Sequence, residues 1–424
     1  MSFNKWEKVT LEKGGIIIED GDRGKNYPKS SEFSDSGYCI FLSTNNLIDD
    51  KVDINSCDYI SEERDSLMGK GKVKKNDILL TTRGNGLGKL GLYKYSIPAR
   101  INSGLVIIRS NNKILDNKFL YYMLRSNIGK NQFKSLSSGS AQPQLPIKDL
   151  KKLVVSIPPM EEQKRISFIM EILDEKIETN NEINKKLEEM AQAIFKQWFV
   201  DFEFPNEDGK PYKSSGGEMV RSELGMIPKG WEVKKVAEMI ETILGGTPSR
   251  KNESYWENGS IAWINSGKIN EFRITEPSEY ITEEAVKKSS TKLLPKRTTV
   301  IAITGATLGQ VSLLEIDSCT NQSVVGLKEN EILKAEYIYC WMKEEIKLLA
   351  NLQTGGAQQH INKDNVNMRN IIIPKKDILN KYYNIMESIF DKISNSVFEV
   401  RELTILRNTL LPKLMSGEIR VPID

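Results

Sequence analysis

A single histidine, His360, sits in the stretch TGGAQQHIN at 354–362. An imidazole among glycine, glutamine and asparagine has the chemistry of a general base or a metal ligand. A second stretch, SGSAQPQLP at 138–146, argues against that role. Ala141 and Gln142 match Ala357 and Gln358, and Gln144 stands where the histidine does. A group repeated without its titrating atom reads as a structural or contact loop. Neutral amides and hydroxyls between glycines suit another task, because Gln and Asn pair bidentately with adenine and backbone N–H groups hold phosphates. A tight turn capping the next element accounts for any one of these residues equally well.

Other chemistry is tempting and fails. GLGKLG, 86–91, is a literal G-x-G-x-x-G after the strand-like DILLTT, but LYKYSIPARINSGLVIIR follows, which reads as strand. A dinucleotide would lack its helix N-terminus, and the stretch is read as a β-turn. GNGLGKL, 84–90, is one residue short of a Walker loop, with Leu90 where a hydroxyl should hold magnesium. Cys39, Cys57, Cys319 and Cys340 form no C-x-x-C pair and with one histidine make no zinc set; they are expected to be buried, reduced thiols. Pro158–Pro159 lies in IPPM, not in the Asp/Asn-Pro-Pro-aromatic tetrad of amino-methyltransferases. No nucleophile elbow, H-E-x-x-H or nuclease carboxylate spacing stands out, so no catalytic residue, metal or cofactor is assigned to this chain.

The elements that must position such loops come in duplicate. The 424 residues suit two or three domains, and 60 Lys+Arg against 57 Asp+Glu leave a net charge of only +3. Nucleic acid would have to be met by local patches. The N-terminus lacks a signal-peptide core and the apolar runs are strand-sized, so a cytoplasmic protein is expected. WEKV (6–9) recurs as WEVKKV (231–236), and NDILLTTRGNGLGKLGLY (76–93) recurs in form as RTTVIAITGATLGQVSLL (297–314). INSGLVIIR (101–109) matches TNQSVVGLK (320–328), and 138–158 matches 354–374.

Each half then enters a long heptad-like segment, 161–199 and 377–415. The first apolar seam reads Ile166, Ile169, Leu173, Ile177, Leu187, Ile194, Trp198; the second reads Ile385, Ile389, Ile393, Val400, Leu403, Leu410, Leu414. Steps of three and four mark a coiled coil roughly 55–60 Å long. Asn180 falls on the first seam, as a register-fixing polar layer or a local fray. Neither helix can bury its stripe alone, so the two are expected to pack together. The fold class is α+β: two α/β domains, each followed by a long helix, the helices packing as an antiparallel coiled coil with two-fold pseudo-symmetry. The expected boundaries are 1–158, helix 159–200, a Pro/Gly-rich linker 201–226, 227–374, and helix 375–424.

This ensemble resembles the specificity subunit of type I restriction–modification enzymes. The resemblance rests on IPKGWEVKKV (227–236), GGTPSR (245–250), INSGKI (264–269), TGATLGQV (304–311), NQSV (321–324), GGAQQHINKDNV (355–366), IPPMEEQKRI (157–166), IFKQWFVDFEFP (194–205) and LLPKLMSGEIRV (410–421). It implies two target-recognition domains reading the halves of a split double-stranded DNA site, with the helices setting the gap. It also implies a non-catalytic chain that docks two modification subunits, which carry adenine-N6 methyltransferase chemistry and S-adenosylmethionine. Two restriction subunits using ATP and Mg would join them. GDRGKNYPKSSEFSDSGYCIFLSTNNL (21–47) replaces GGTPSRKNESYWENGSIAWINSGKI (245–269), which suggests that the domains read different sequences.

The candidate DNA contacts are Arg23, Lys25, Asn26, Arg83, Asn85 and Lys89 in the first domain, and Ser249, Arg250, Lys251, Lys268, Thr307 and Gln310 in the second. Ile166, Leu173, Leu187, Trp198, Ile389, Leu403 and Leu410 mark the partner-docking helices. Two other readings stand beside this one: a type II-like or methylation-only system, and a coiled-coil protein-interaction scaffold.

Overall fold

The structure, a computed structural model, describes residues 6–137, 143–351 and 361–422, without the side chains of Asn85, Ala350 and Asn351. It divides into two units, Met1–Lys176 with Leu403–Asp424, and Ile177–Glu402. The divisions fall within both long helices, Met160–Phe195 and Lys376–Ser416.

In the first unit, strand Glu7–Thr10 pairs antiparallel with Val154–Ile157, closing the domain just before the long helix. A four-stranded sheet orders Asp58–Ile60, Cys39–Leu42, Ala99–Ile101 and Lys72–Val73. A six-stranded sheet runs Ile16–Asp20, Leu105–Ser110, Ile78–Thr81, Leu90–Leu92, Lys51–Val52, Leu47–Ile48. Strands such as Ile78–Thr81 are buried on both faces, which explains their unbroken apolar sequence.

The second unit repeats this plan. Glu232–Lys235 pairs with Asn370–Ile373. One sheet orders Glu279–Ile281, Ile261–Ile264, Ser318–Thr320 and Leu293–Leu294; the other orders Thr242–Leu244, Val324–Leu327, Thr299–Ala302 and Val311–Leu313. The repeat extends to single bonds. Asn102 N–H donates to Leu42 O at 2.8 Å in the first unit, and Asn321 N–H to Ile264 O at 3.0 Å in the second. Asn76 and Arg297, both at φ 69°, occupy the same turn.

The segments that differ most in sequence share one glycine. A Cβ on Gly21 would lie 2.4 Å from Asn102 O, and one on Gly245 would lie 2.2 Å from Asn321 O. The backbones approach too closely for a side chain, so GDRG and GGTP are two solutions hung from one crossing point. Gly245→Ala is expected to cost about 1–3 kcal/mol, as overpacking against backbone does, and a denaturant midpoint on the full chain checks it.

The long helices pair antiparallel in each unit. In the first, Ile166 and Met170 share a core with Leu411, Leu414 and Met415. Gly417, at φ 77°, ends the second helix. In the second unit Phe195 meets Tyr382 at 6.4 Å, while Asn180 Nδ2 donates to Glu399 at 2.9 Å. Asn180 is therefore a bonded polar layer and not a fray. Beyond Phe195 the helix widens into a π-helical turn, Lys196–Val200.

Two expectations need correction. Residues 201–226 do not form a free linker: Phe202 and Phe204 are buried, Phe204 stacks on Trp231 at 5.0 Å, and Met219–Ser222 pairs with Gly225–Pro228. Aromatics placed among the Pro and Gly residues fold this stretch onto the second unit's core. The seam also widens beyond a and d. Tyr382, Tyr383, Met386 and Phe390 fill it, and Ile385, 40% exposed, lies outside it.

Candidate nucleic-acid interface

Each domain raises its candidate residues on turns at the ends of buried strands. In the first, Ile78–Thr81 and Leu90–Leu92 form an antiparallel pair joined through the short 3-10 turn Gly84–Gly86. A strand follows GLGKLG, as its reading as a turn requires. Gly84 (φ 72°) and Gly88 (φ 87°) supply the left-handed backbone. The second domain builds the same turn at Gly305–Thr307, with Gly305 at φ 73° and Gly309 at φ 82°.

Arg83 enters this turn in extended conformation, at φ −147°, and forms an antiparallel bridge with Gln144. Gly84 N–H donates to Pro143 O at 3.2 Å, and Leu145 N–H to Thr82 O at 3.0 Å. The last bond has an equivalent in Ile361 N–H to Ile303 O, 2.9 Å, which supports the alignment of Gln144 with His360. His360, Ala357, Gln358, Ala141 and Gln142 lie outside the described residues.

Arg23 and Arg83 come together: with Asp20, Thr82, Gln144 and Leu145 they line a recess of about 270 Å³. Arg23 stands 3.8 Å from Asp20. Asn26 does not reach outward, since its amide donates to Leu67 O at 3.0 Å. Lys25 and Lys89 are exposed, and Asn85 sits on the turn with its side chain outside the description.

The second domain spreads its candidates over two places. Lys268 is on the turn Ser266–Asn270, which packs beside Gly305–Thr307. It is largely covered and pairs with Glu271 at 2.9 Å and Glu276 at 3.0 Å. Burial pulls its pKa down, but those two carboxylates win and raise it. Gln310 is exposed, and its N–H donates to Thr307 O. Arg250 belongs to another cluster: it forks onto Glu279 and lies 3.6 Å over the Trp256 ring, which meets Trp263 edge-on at 5.2 Å. Ser249 accepts from Trp256 Nε1 through its carbonyl, and Lys251 is exposed.

The docking residues are placed differently from their expected role. Ile166, Trp198 and Ile389 are buried in the chain's own cores, with Leu187 and Leu410 packed against them and Leu173 and Leu403 half-buried. A seam that closes the chain on itself is unavailable to a partner. All four cysteines are buried and free; burial pushes the Cys39 thiol up to about 12 and Cys57 to about 11. Among the described residues no His/Cys/Asp/Glu group is placed to hold a metal, and no helix is long and apolar enough to cross a membrane.

Sequence reasoning missed two buried charge networks that anchor the helices to these domains. Asp174 accepts from Arg125 (2.6 Å), Arg407 (3.1 Å) and Tyr122 (3.0 Å). Arg273 meets Glu188 (3.1 Å) and Tyr339 (2.7 Å) and stands 3.8 Å from Glu315. The partners lie 49 to 233 residues apart in the first network, so no local pattern marks them.

The family model described as "Type I restriction modification DNA specificity domain" matches residues 4–189 and 228–398. The type I restriction enzyme HindI specificity subunit of Haemophilus influenzae is 27% identical, over 94% of this chain and 98% of its own length. The MjaIX specificity subunit of Methanocaldococcus jannaschii is 28% identical, over 82% of this chain and 78% of its own. The crystal structure of an S subunit from M. genitalium shares the fold, with a TM-score of 0.63 at 16% identity over 97% and 96% of the two chains.

Proposed function

Because the chain belongs to the type I restriction–modification DNA specificity family, we propose that it is the non-catalytic reader of a split double-stranded DNA site. The observation that carries this reading is the pairing of one duplicated framework with two different sets of turn residues. Arg83 and Thr304 enter equivalent turns, and Asp20 and Leu244 end equivalent strands. A framework that is kept while its exposed residues change suits two readers of different half-sites.

In this reading the domains supply base and phosphate contacts, and the paired helices act as a spacer between the half-sites. Each well-read base pair contributes about 1–3 kcal/mol of discrimination, and two linked readers combine theirs. Two modification subunits supply adenine-N6 methylation with S-adenosylmethionine. Two restriction subunits supply the ATP- and Mg-dependent nuclease. Docking falls to the outward helix faces, where Phe168 (61% exposed) and Met190 (52%) on the first helix and Ile405 (48%) on the second remain uncovered.

Arg250→Ala is expected to weaken DNA binding while leaving the chain folded. An exposed ion pair with Glu279 and contacts with the Trp256 and Trp263 rings together hold only about 1–2 kcal/mol. Affinity and site preference measured by titration check this, and unchanged values remove Arg250 from the contacts.

Selection from a random duplex library with the assembled complex tests the function. Two fixed blocks around a degenerate gap are expected, and replacing residues 227–374 should change only one of them. A single unbroken block, or a change in both, would contradict the reading.

A further inference from the structure

We infer that Arg83 reads a guanine in the half-site of the first domain, and that the second domain has no equivalent reader. The inference rests on the DNA-reading function and adds the base recognised. Arg83 is exposed, and among the described residues its guanidinium has no ion pair or hydrogen bond. Its backbone is fixed on both sides by the bridge to Gln144 and by the bonds of Gly84 and Leu145. A forked donor on a rigid base, on the lining of the recess, holds its aim at low entropic cost.

The lining of the recess separates a base from a phosphate. A phosphate site gathers donors and cations, but here Asp20 faces the same recess as Arg23 and Arg83, with Gln144 and Thr82 between them. Asp20 is ion-paired with Arg23 at 3.8 Å and Lys70 at 3.6 Å, so it offsets the cations a phosphate would need and leaves an acceptor in the recess. Against a base pair it is an asset, because the major-groove edge of G·C presents the N7 and O6 acceptors of guanine beside the N4 donor of cytosine. Arginine forks onto the first two; a carboxylate or an amide oxygen accepts from the third. The second domain lacks both halves of this pattern: Thr304 replaces Arg83, and Leu244 replaces Asp20.

The test uses the complex assembled with its modification subunits, with the wild-type chain or Arg83→Ala. Duplexes carrying every single substitution across both half-sites compete for binding at fixed salt. The wild type should demand a G·C pair at one position of the first domain's half-site. In the variant, discrimination at that position should fall about 5- to 150-fold while every other position, including the whole second half-site, is unchanged. Uniform weakening across all sequences with a shallower salt dependence would make Arg83 a phosphate contact and overturn the inference. An unchanged profile, or a half-site with no guanine, would overturn it too. If the wild-type complex shows no sequence preference at all, the DNA-reading function itself fails.

Discussion

Asp174→Asn is expected to cost the unit formed by Met1–Lys176 and Leu403–Asp424 about 3–5 kcal/mol. The carboxylate is 6% exposed and takes Arg125, Arg407 and the Tyr122 hydroxyl at once. An amide of the same shape leaves Arg125, itself 8% exposed, with Asp50, 3.3 Å from its Nε, as its remaining counter-charge. Burial pushes the Asp174 carboxyl up, but Arg125 and Arg407 outweigh it and hold it below the usual aspartate range. With a depressed folded value, the stabilisation is complete above the unfolded value of about 3.9. It is lost as pH falls below that, through the folded value. The gap between wild type and variant should therefore be flat near neutrality and shrink below about pH 4. Denaturant unfolding followed by hydrogen exchange in Asn117–Arg125 measures it in the unit concerned. A variant within about 1 kcal/mol of wild type would show that the network is not holding the helices to the sheet.

A second loss of about 3–5 kcal/mol is expected for Arg273→Met in the other unit. The arginine side chain is fully buried, lies 4.3 Å over Tyr339 and faces Glu188 and Glu315. Its Nε, 3.8 Å from Glu315, is too far for a hydrogen bond, so the site already carries one unmet donor. Removing the cation leaves Glu188 with the Tyr339 hydroxyl, and Glu315 with the Ser394 hydroxyl and Lys296 at 3.7 Å, in a covered site. Replacing Arg273, Glu188 and Glu315 together with apolar residues of similar volume should recover most of the loss, since the penalty comes from unpaired charge. Exchange protection in Ala335–Asn351 reports both variants. A triple variant as unstable as the single one would place the effect in packing instead.

How far the sequence could be read follows the range of the physics involved. Local periodicity and turn chemistry gave away the duplicated strands, the glycine turns at 84–88 and 305–309, and the existence of the two long helices, although the second ends at Ser416, short of the expected 424. The π-helical turn at Lys196–Val200 interrupts the three–four spacing. Trp198 nonetheless still meets the other long helix, against Tyr382 at 5.9 Å, within the second unit's aromatic core. Residues 201–226 misled because Pro and Gly outvoted Phe202 and Phe204 by number, though two buried rings outweigh them in energy. Among the candidate contacts, Arg83 and Arg23 converge because Ile16–Asp20 and Ile78–Thr81 flank Leu105–Ser110, both antiparallel to it, and so end at the same edge of the sheet. Arg250, a candidate contact, is paired with Glu279, which lies 29 residues away across a sheet where no local pattern marks it.

The claim at the centre is that this chain decides where the complex acts on DNA. Express it with its modification subunit in a host without DNA methylation and map N6-methyladenine across the genome, with and without this chain. The account predicts one split motif, methylated on both strands and absent when the chain is omitted. The same motif appearing without the chain, or none from a soluble, assembled complex, would contradict it.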